Sequence, residues 1–565
     1  MTQPAEQRAR PSPDPDTVPD SKKPRLDADT GEASGEANAG SAEAMEVDQA
    51  NSKGKGKGKR SKRLTRKDKK KKKKTLPDIY TNEYVAYRDT IALLGQEAVA
   101  AAEEQETDWT PPFENKIELE LVVSELSSTG ESLSVAPAPY PPWVIVTPFG
   151  LPGETIRARV YRSGRLYSYA DMLEVIKPNS DLRDDSRVQC KYFGKCAGCQ
   201  YQMLLYETQL NLKRNVIVKA YQNFSDLPSS LVPTVLPTIG SPLQYGYRTK
   251  ITPHFDAPAR NLKKQGPESY DGSSRPDWFK VGFNECPIAT PVLNQALGPI
   301  REDIFGKLHS YKNGVSLLLR ESLESATPPG PVQDASRDEA VAEDLSSNLE
   351  KKICITNHKA TVRERVGDKL FEYTAGSFFQ NNNSVLVPLT SYVRDAIFPA
   401  DSPPDPRHTH LVDAYCGSGL FSIMLSPEFE KVRGIELSAD SIKSAKVNAQ
   451  LNGISEDKCS FMEGDAANIF DTVADFPRER TVLIIDPPRK GSDEKFIDQL
   501  IRFACTTVAY VSCNVHTQAR DVGMILRKSE AMQGKKYVVE SIRGFDLFPQ
   551  TAHVESVAIL KLVDA

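Results

Sequence analysis

Between residues 409 and 513 short β-forming runs alternate with helix-forming stretches, and this alternation limits the possible folds more than any other feature of the chain. The runs are "THLVDAY" (409–415), "KVRGIEL" (431–437), "CSFMEGD" (459–465), "RTVLIIDPP" (480–488) and "TTVAYVSC" (506–513). Helix candidates such as "SADSIKSAKVNAQLNG" (438–453) lie between them. Strands that alternate with helices build βαβ units, and such units make a doubly wound, mainly parallel sheet. "KYVVESIRGFDLF" and "HVESVAILKLV" read as two further strands. A Rossmann-like α/β domain is therefore expected over residues 376–565.

Ligands bind such sheets over the carboxyl ends of the strands, so candidate site residues are sought there. Gly417 and Gly419 follow the first run, where glycine permits a tight turn and close approach of backbone to a ligand. Glu436 ends the second run, where an acidic residue takes ribose hydroxyls. Ser422 only approximates the small residue that a dinucleotide-binding GxGxxG requires. Asp413 would meet the cationic end of S-adenosylmethionine but would repel a pyrophosphate. The turn therefore favours a methyl donor over a dinucleotide; a ligand-free sheet with glycine turns is the bland alternative.

Asp486 ends the fourth run, ahead of two prolines that fix the loop. Cys513 ends the fifth. A cysteine there is either a core thiol or a nucleophile. Adjacent strands that deliver a carboxylate and a thiol to one cleft, beside a methyl-donor site, favour the nucleophile. In "FPQTAHVESVAIL", Glu555 and His553 are candidates for proton transfer, and Glu555 is the preferred base.

At 565 residues the chain has room for three or four domains. Residues 1–79 are rich in Pro, Gly, Ser and charge and are expected to be disordered. Their stretch 53–74 carries fifteen Lys or Arg and one Asp, so a net charge of −4 hides a basic tail on an acidic remainder. Such a block reads as a nuclear-localisation or nucleic-acid-binding segment, or as a solubilising tail. The N-terminus lacks the apolar core of a secretory signal, and no run of 18 apolar residues exists to span a membrane. Nine cysteines without a secretion signal point to reduced thiols inside a cell. Nucleus and cytoplasm are the expected compartments, with a mitochondrial pool as an alternative, and a monomer is expected.

Residues 80–112 read as a helical connector. Residues 113–182 hold short strands with turn signals, as in a small OB-like barrel that either binds RNA or is purely structural. Residues 183–375 read as a central α+β domain, with a helix at 206–224, strands at 245–255 and 280–285, and a flexible insertion at 323–350. Here Cys190, Cys196 and Cys199 are spaced C-x5-C-x2-C, and Cys286 is a plausible fourth ligand. Four thiolates suit zinc and an iron–sulfur cluster equally well, and free thiols are the remaining reading. Cys354, Cys416, Cys459 and Cys505 are isolated and read as packing residues.

Taken in order, "SFFQNN" (377–382), "DAYCGSGLF" (413–421), "GIELS" (434–438), "DPPRKG" (486–491), "YVSCN" (510–514) and "HVE" (553–555) resemble the RNA uracil-5-methyltransferase family. The resemblance spans about 180 residues. It implies that Gln380, Tyr415, Glu436 and Asp486 bind S-adenosylmethionine, that Cys513 is the nucleophile and that Glu555 takes the C5 proton. It also implies that 113–182 is a TRAM domain and that the four cysteines hold a [4Fe–4S] cluster, as in some members. "YRTK" (247–250) is similar to the family's Tyr-Arg-Asn-Lys, with Thr249 in place of Asn. Members acting on tRNA and on rRNA share these motifs. The basic tail and multi-domain build look eukaryotic, for which the resemblance implies uridine 54 of the tRNA T-loop. Two competing readings are an amino-group methyltransferase, which needs no cysteine, and a silent RNA-binding protein, which would not need Gln380, Asp486, Cys513 and Glu555 together.

Overall fold

The computed structural model describes residues 75–79, 81–255, 285–307, 311, 315–324, 350–399, 409–464 and 466–565. The basic run at 53–74, and most of the expected strand at 280–285 and of the insertion at 323–350, lie outside these residues.

The principal sheet has eight strands: β1 (Leu236–Ile239), β2 (His410–Ala414), β3 (Lys431–Glu436), β4 (Cys459–Glu463), β5 (Thr481–Ile485), β6 (Thr507–Ser512), β7 (Lys535–Phe545) and β8 (Glu555–Asp564). Their order is β4-β3-β2-β5-β6-β8-β7-β1. Strands β4 to β6 are mutually parallel, and β8 enters antiparallel between β6 and β7. Every residue of β5 and β6 is buried, as central strands covered on both faces must be. Two apolar cores, one on each face, include Leu411, Val432 and Ile484 on one side and Val412, Leu483 and Tyr510 on the other. All seven strands expected over 409–563 are present, most of them trimmed by a residue or two.

Strand β1 was not expected. It comes from the segment read as the central domain and pairs with β7 at the sheet edge. Its "LPTI" is short, and Pro237 cannot donate to a ladder, which confines it to an edge. The helix Tyr206–Phe224 packs on the helix Val515–Ser529 through Val216, Ile217, Ala220 and Tyr221, which joins it to the second core. In the stretch 245–255, only Lys250–Ile251 and His254–Phe255 are strand; longer-range hydrogen bonds hold Tyr247–Thr249 instead.

Residues 118–177 form a second, six-stranded sheet. Glu118–Val122 pairs with Thr155–Ser163 at one edge, and Glu125–Leu126 pairs with Ser132–Val135 at the other. Both edges are thus one bent stretch of chain, wrapped around Leu121, Trp143, Ile145, Ile156 and Ala158. The helices Asn82–Leu94 and Gln96–Glu104, broken at Gly95 (φ +82°), lie against it. The buried Asp89 carboxylate accepts from Ser128 N at 2.7 Å and Ser128 Oγ at 3.1 Å. Among the described residues no helix is long and apolar enough to cross a membrane.

Candidate active site

The turn after β2 is left-handed at Tyr415 (φ +63°), Gly417 (+54°) and Gly419 (+90°). At Gly419 a Cβ would also press on Ile423 and Phe461, at 3.1 and 3.2 Å, so only glycine fits there comfortably. Glu436, at the end of β3, accepts from Gly417 N at 3.3 Å and Ser438 N at 2.9 Å. The strand ladder and two amides thereby fix its carboxylate beside the turn. The Tyr415 ring lies 5.8 Å from that of Phe496. Asp413 is buried, and its Oδ2 accepts from Ser422 N (2.9 Å) and Ser422 Oγ (2.6 Å), which anchors the helix Leu420–Leu425. Its Oδ1 has no partner, and burial pushes the acid up to about 7.

Asp486 steps off β5 next to this turn, with its N–H donating to Ala414 O at 3.4 Å. Burial, and then the Asp413 and Glu436 carboxylates, push it up to about 7. Strands β6 and β8 pair at Ser512 and Ser556, so Cys513 and Glu555 leave that ladder side by side. Glu555 is only 1 % exposed and its Oε1 has no partner, which is no ordinary state for a strand-end Glu. Burial, with Asp486 nearby, raises it well above the carboxylate range. Burial, then Glu555 and Asp486, push the Cys513 thiol up to about 12.

Arg489 acts in the opposite direction. Its guanidinium charge lowers both the Cys513 thiol and Glu555. Sequence reasoning quoted Arg489 within "DPPRKG" but gave it no role. Its signal was a cation three residues beyond Asp486, in a loop already placed at the cleft. Asn514 sets this loop. Its Nδ2 donates to Arg489 O at 2.9 Å, while its Oδ1 accepts from His516 N at 3.2 Å to cap the helix Val515–Ser529. Thr517 Oγ1 also donates to Arg489 O, at 3.1 Å.

The loop leading into β8 is held from below. Lys213, fully buried on the helix Tyr206–Phe224, donates to Asp546 Oδ1 (2.6 Å), His553 O (2.7 Å) and Phe548 O (3.0 Å). Tyr206 OH donates to Asp546 Oδ2 at 3.0 Å. His553 is pushed down to about 3 by burial, Lys213 and Arg489, so it stays neutral. The "SFFQNN" loop is fixed by the fully buried Arg320, which donates to Ser377 O (3.2 Å) and Phe379 O (3.3 Å). Asn382 Nδ2 donates to Leu547 O at 3.1 Å, which ties the loop carrying Gln380 to the one carrying Glu555. Phe378 is 75 % exposed beside Gln380.

Cys190, Cys196, Cys199 and Cys286 are half-buried. The other three thiols each add to the burial that raises Cys199, and Cys190 and Cys196 likewise add to the burial that raises Cys286. The four therefore lie within electrostatic reach of one another. As they stand, no three His, Cys, Asp or Glu among the described residues are arranged to hold a metal ion.

Residues 345–563 match the family model for tRNA (uracil-5-)-methyltransferase. The chain is 44 % identical over 453 residues to the tRNA (uracil(54)-C(5))-methyltransferase of Schizosaccharomyces pombe, covering 80 % of each chain. It is 41 % identical over 472 residues to the same enzyme of Saccharomyces cerevisiae, covering 78 % of this chain and 73 % of that one. The crystal structure of Pyrococcus abyssi tRNA (uracil-54, C5)-methyltransferase in complex with S-adenosyl-L-homocysteine is similar in fold, with a TM-score of 0.51 at 23 % identity. That match covers 78 % of this chain and 100 % of the other.

Proposed function

The chain belongs to the tRNA (uracil-5-)-methyltransferase family, and from that premise we propose that it methylates C5 of uridine 54 in tRNA through a covalent bond between Cys513 and C6. The observation that carries the chemistry is the pairing of β6 with β8, which sets a thiol and a buried, unpartnered carboxylate side by side next to Asp486.

S-adenosylmethionine would be held at the Gly417 turn by Tyr415, Glu436, Asp486 and Gln380, where it would supply the methyl group and leave as S-adenosylhomocysteine. The residues fit such a ligand: the orphaned Asp413 Oδ1 and the raised Asp486 are buried acids without a counter-cation of their own, which a cationic ligand would supply. Uracil C5 is a poor nucleophile. Addition of the Cys513 sulfur to C6 moves the ring electrons toward O4, and C5 of the resulting enolate becomes nucleophilic. Once C5 is methylated, Glu555 removes the C5 proton, the C5–C6 double bond re-forms and the sulfur leaves. Arg489 favours the thiolate that begins the cycle.

Incubating the protein with unmodified tRNA and methyl donor should yield 5-methyluridine at position 54, read by nucleoside mass spectrometry. Methylation at an exocyclic amine would establish the competing chemistry. Because Arg489 lowers both Cys513 and Glu555, its loss raises both. Arg489→Gln should therefore move the acid limb of the kcat/KM profile to higher pH, by ~1 unit. An unmoved limb would remove Arg489 from the mechanism.

The bent six-stranded sheet is read as an OB-like TRAM module that binds RNA together with the basic run at 53–74. Cys190, Cys196, Cys199 and Cys286 are read as ligands of a [4Fe–4S] cluster, with zinc as the alternative. The role is mechanical: Gln200 N and Tyr201 N, just after Cys199, donate to Gln550 O at 2.7 and 3.0 Å in the loop before Glu555. Anaerobically purified protein should contain iron and sulfide and absorb visible light. Stoichiometric zinc without iron would select the alternative.

A further inference from the structure

The segment Tyr247–Lys250 ("YRTK") takes no part in the steps above, yet it is tied into the site at every residue. Tyr247 OH donates to Pro549 O at 3.0 Å, in the loop before Glu555. Arg248 N donates to Ile288 O at 2.8 Å, and Thr249 N donates to Asn381 O at 2.9 Å, next to Gln380. Tyr247 and Thr249 are buried, whereas Arg248 and Lys250 are half-exposed. The motif is thus a mount, with two anchors alternating with two cations.

Among the described residues those two cations have no counter-charge. Lys250 pairs in register with Arg320, whose guanidinium is taken up by Tyr373 OH, Ser377 O and Phe379 O, with Glu364 at 3.7 Å. Arg248 gives its Nε to Lys250 O at 3.0 Å and lies over the Phe548 ring, 5.6 Å from its centroid. Neither Arg248 nor Lys250 makes an ion pair among the described residues. Burial and then the two arginines push the Lys250 ammonium down, so the charges repel one another. A half-buried pair of like charges is costly unless an anion joins it.

We propose that Arg248 and Lys250 form a phosphate-binding subsite that seats one backbone phosphate of the RNA flanking the target uridine. A phosphodiester is an acceptor-only anion, matched to an Arg and a Lys that have donors to spare. Such contacts carry no sequence information but fix register, as delivery of C6 to Cys513 requires. Arg248 lies against the loop before Glu555, and Lys250 beside the one that carries Gln380, so a phosphate held there bridges the two. The proposal rests on the tRNA-methylating function above.

The test uses the full-length chain with Lys250→Gln, Arg248→Gln/Lys250→Gln and Lys250→Arg. For the double variant KM for tRNA should rise ~10-fold, and the slope of log affinity against log salt should shrink by ~0.7–0.9 for the lost phosphate. The rate at saturating tRNA, the affinity for S-adenosylmethionine and the melting temperature should stay near wild type, and Lys250→Arg should retain the low KM. A double variant with wild-type KM and salt slope would overturn the subsite, as would a loss confined to kcat or to folding. If the wild-type protein made no 5-methyluridine in tRNA, the functional reading would fail instead. The salt dependence of direct tRNA binding would then judge the subsite.

Discussion

Glu555→Gln should accumulate methylated RNA linked covalently to Cys513, whereas Cys513→Ala should form no adduct at all. Addition of sulfur precedes methyl transfer and proton removal follows it, so the two substitutions stop the cycle on opposite sides of the covalent intermediate. Loss of a positioned base costs ~10²–10⁴-fold in the step it serves. That is enough for the adduct to dominate at steady state. Gln keeps the size of the side chain, and Glu555 makes its site costly as an anion, so the variant should fold. The product is a slow band on a denaturing gel whose RNA carries one added methyl. Full turnover by Glu555→Gln, or 5-methyluridine from Cys513→Ala, would exclude this mechanism.

Lys213→Met should be among the most destabilising single substitutions in the chain. It leaves the buried Asp546 carboxylate without its cation and strips the Phe548 and His553 carbonyls of a donor. Breaking a buried ion pair from one side costs ~3–5 kcal/mol, against a typical total of ~5–15 kcal/mol. Lys213→Met/Asp546→Asn removes both charges and should recover part of the loss, because residues in one network do not act additively. Denaturant unfolding of the full chain reads both. A Lys213→Met protein as stable as wild type would show that the clamp contributes nothing.

The local pattern of the chain was readable where one element's own residues determine it. The β2 to β8 runs are apolar and β-branched and stop at glycine, proline or polar turns, and the helix Tyr206–Phe224 has the bounds its amphipathic spacing implies. What stayed hidden depends on partners far along the chain. Lys213 sits four residues from both Gln209 and Ile217, on the buried face, but its meaning is set by Asp546, 333 positions away. Arg489 was visible, but its charge acts on Cys513 only once β5 and β6 lie side by side. Strand β1 was missed because four residues containing a proline have almost no pattern of their own. Glu436 and Asp486 were found from their places at strand ends, Gln380 and Tyr415 through motif resemblance; the sheet then brings Tyr415, Glu436 and Asp486 to one edge, with the Gln380 loop tied to the loop that leads into Glu555.

The edge strand Leu236–Ile239 also bears on how the chain is made. Synthesis delivers β1 long before its partner Lys535–Phe545, so the strand must wait, unpaired, while some three hundred residues leave the ribosome. A long apolar edge exposed for that time would invite pairing with a neighbouring chain. Four residues interrupted by Pro237 offer little to pair with, so brevity protects the nascent protein. The same arrangement makes a cut at residue 375 unproductive: the fragment that follows would keep the cysteine and the carboxylates but lose the strand and the Lys213 helix on which they are assembled.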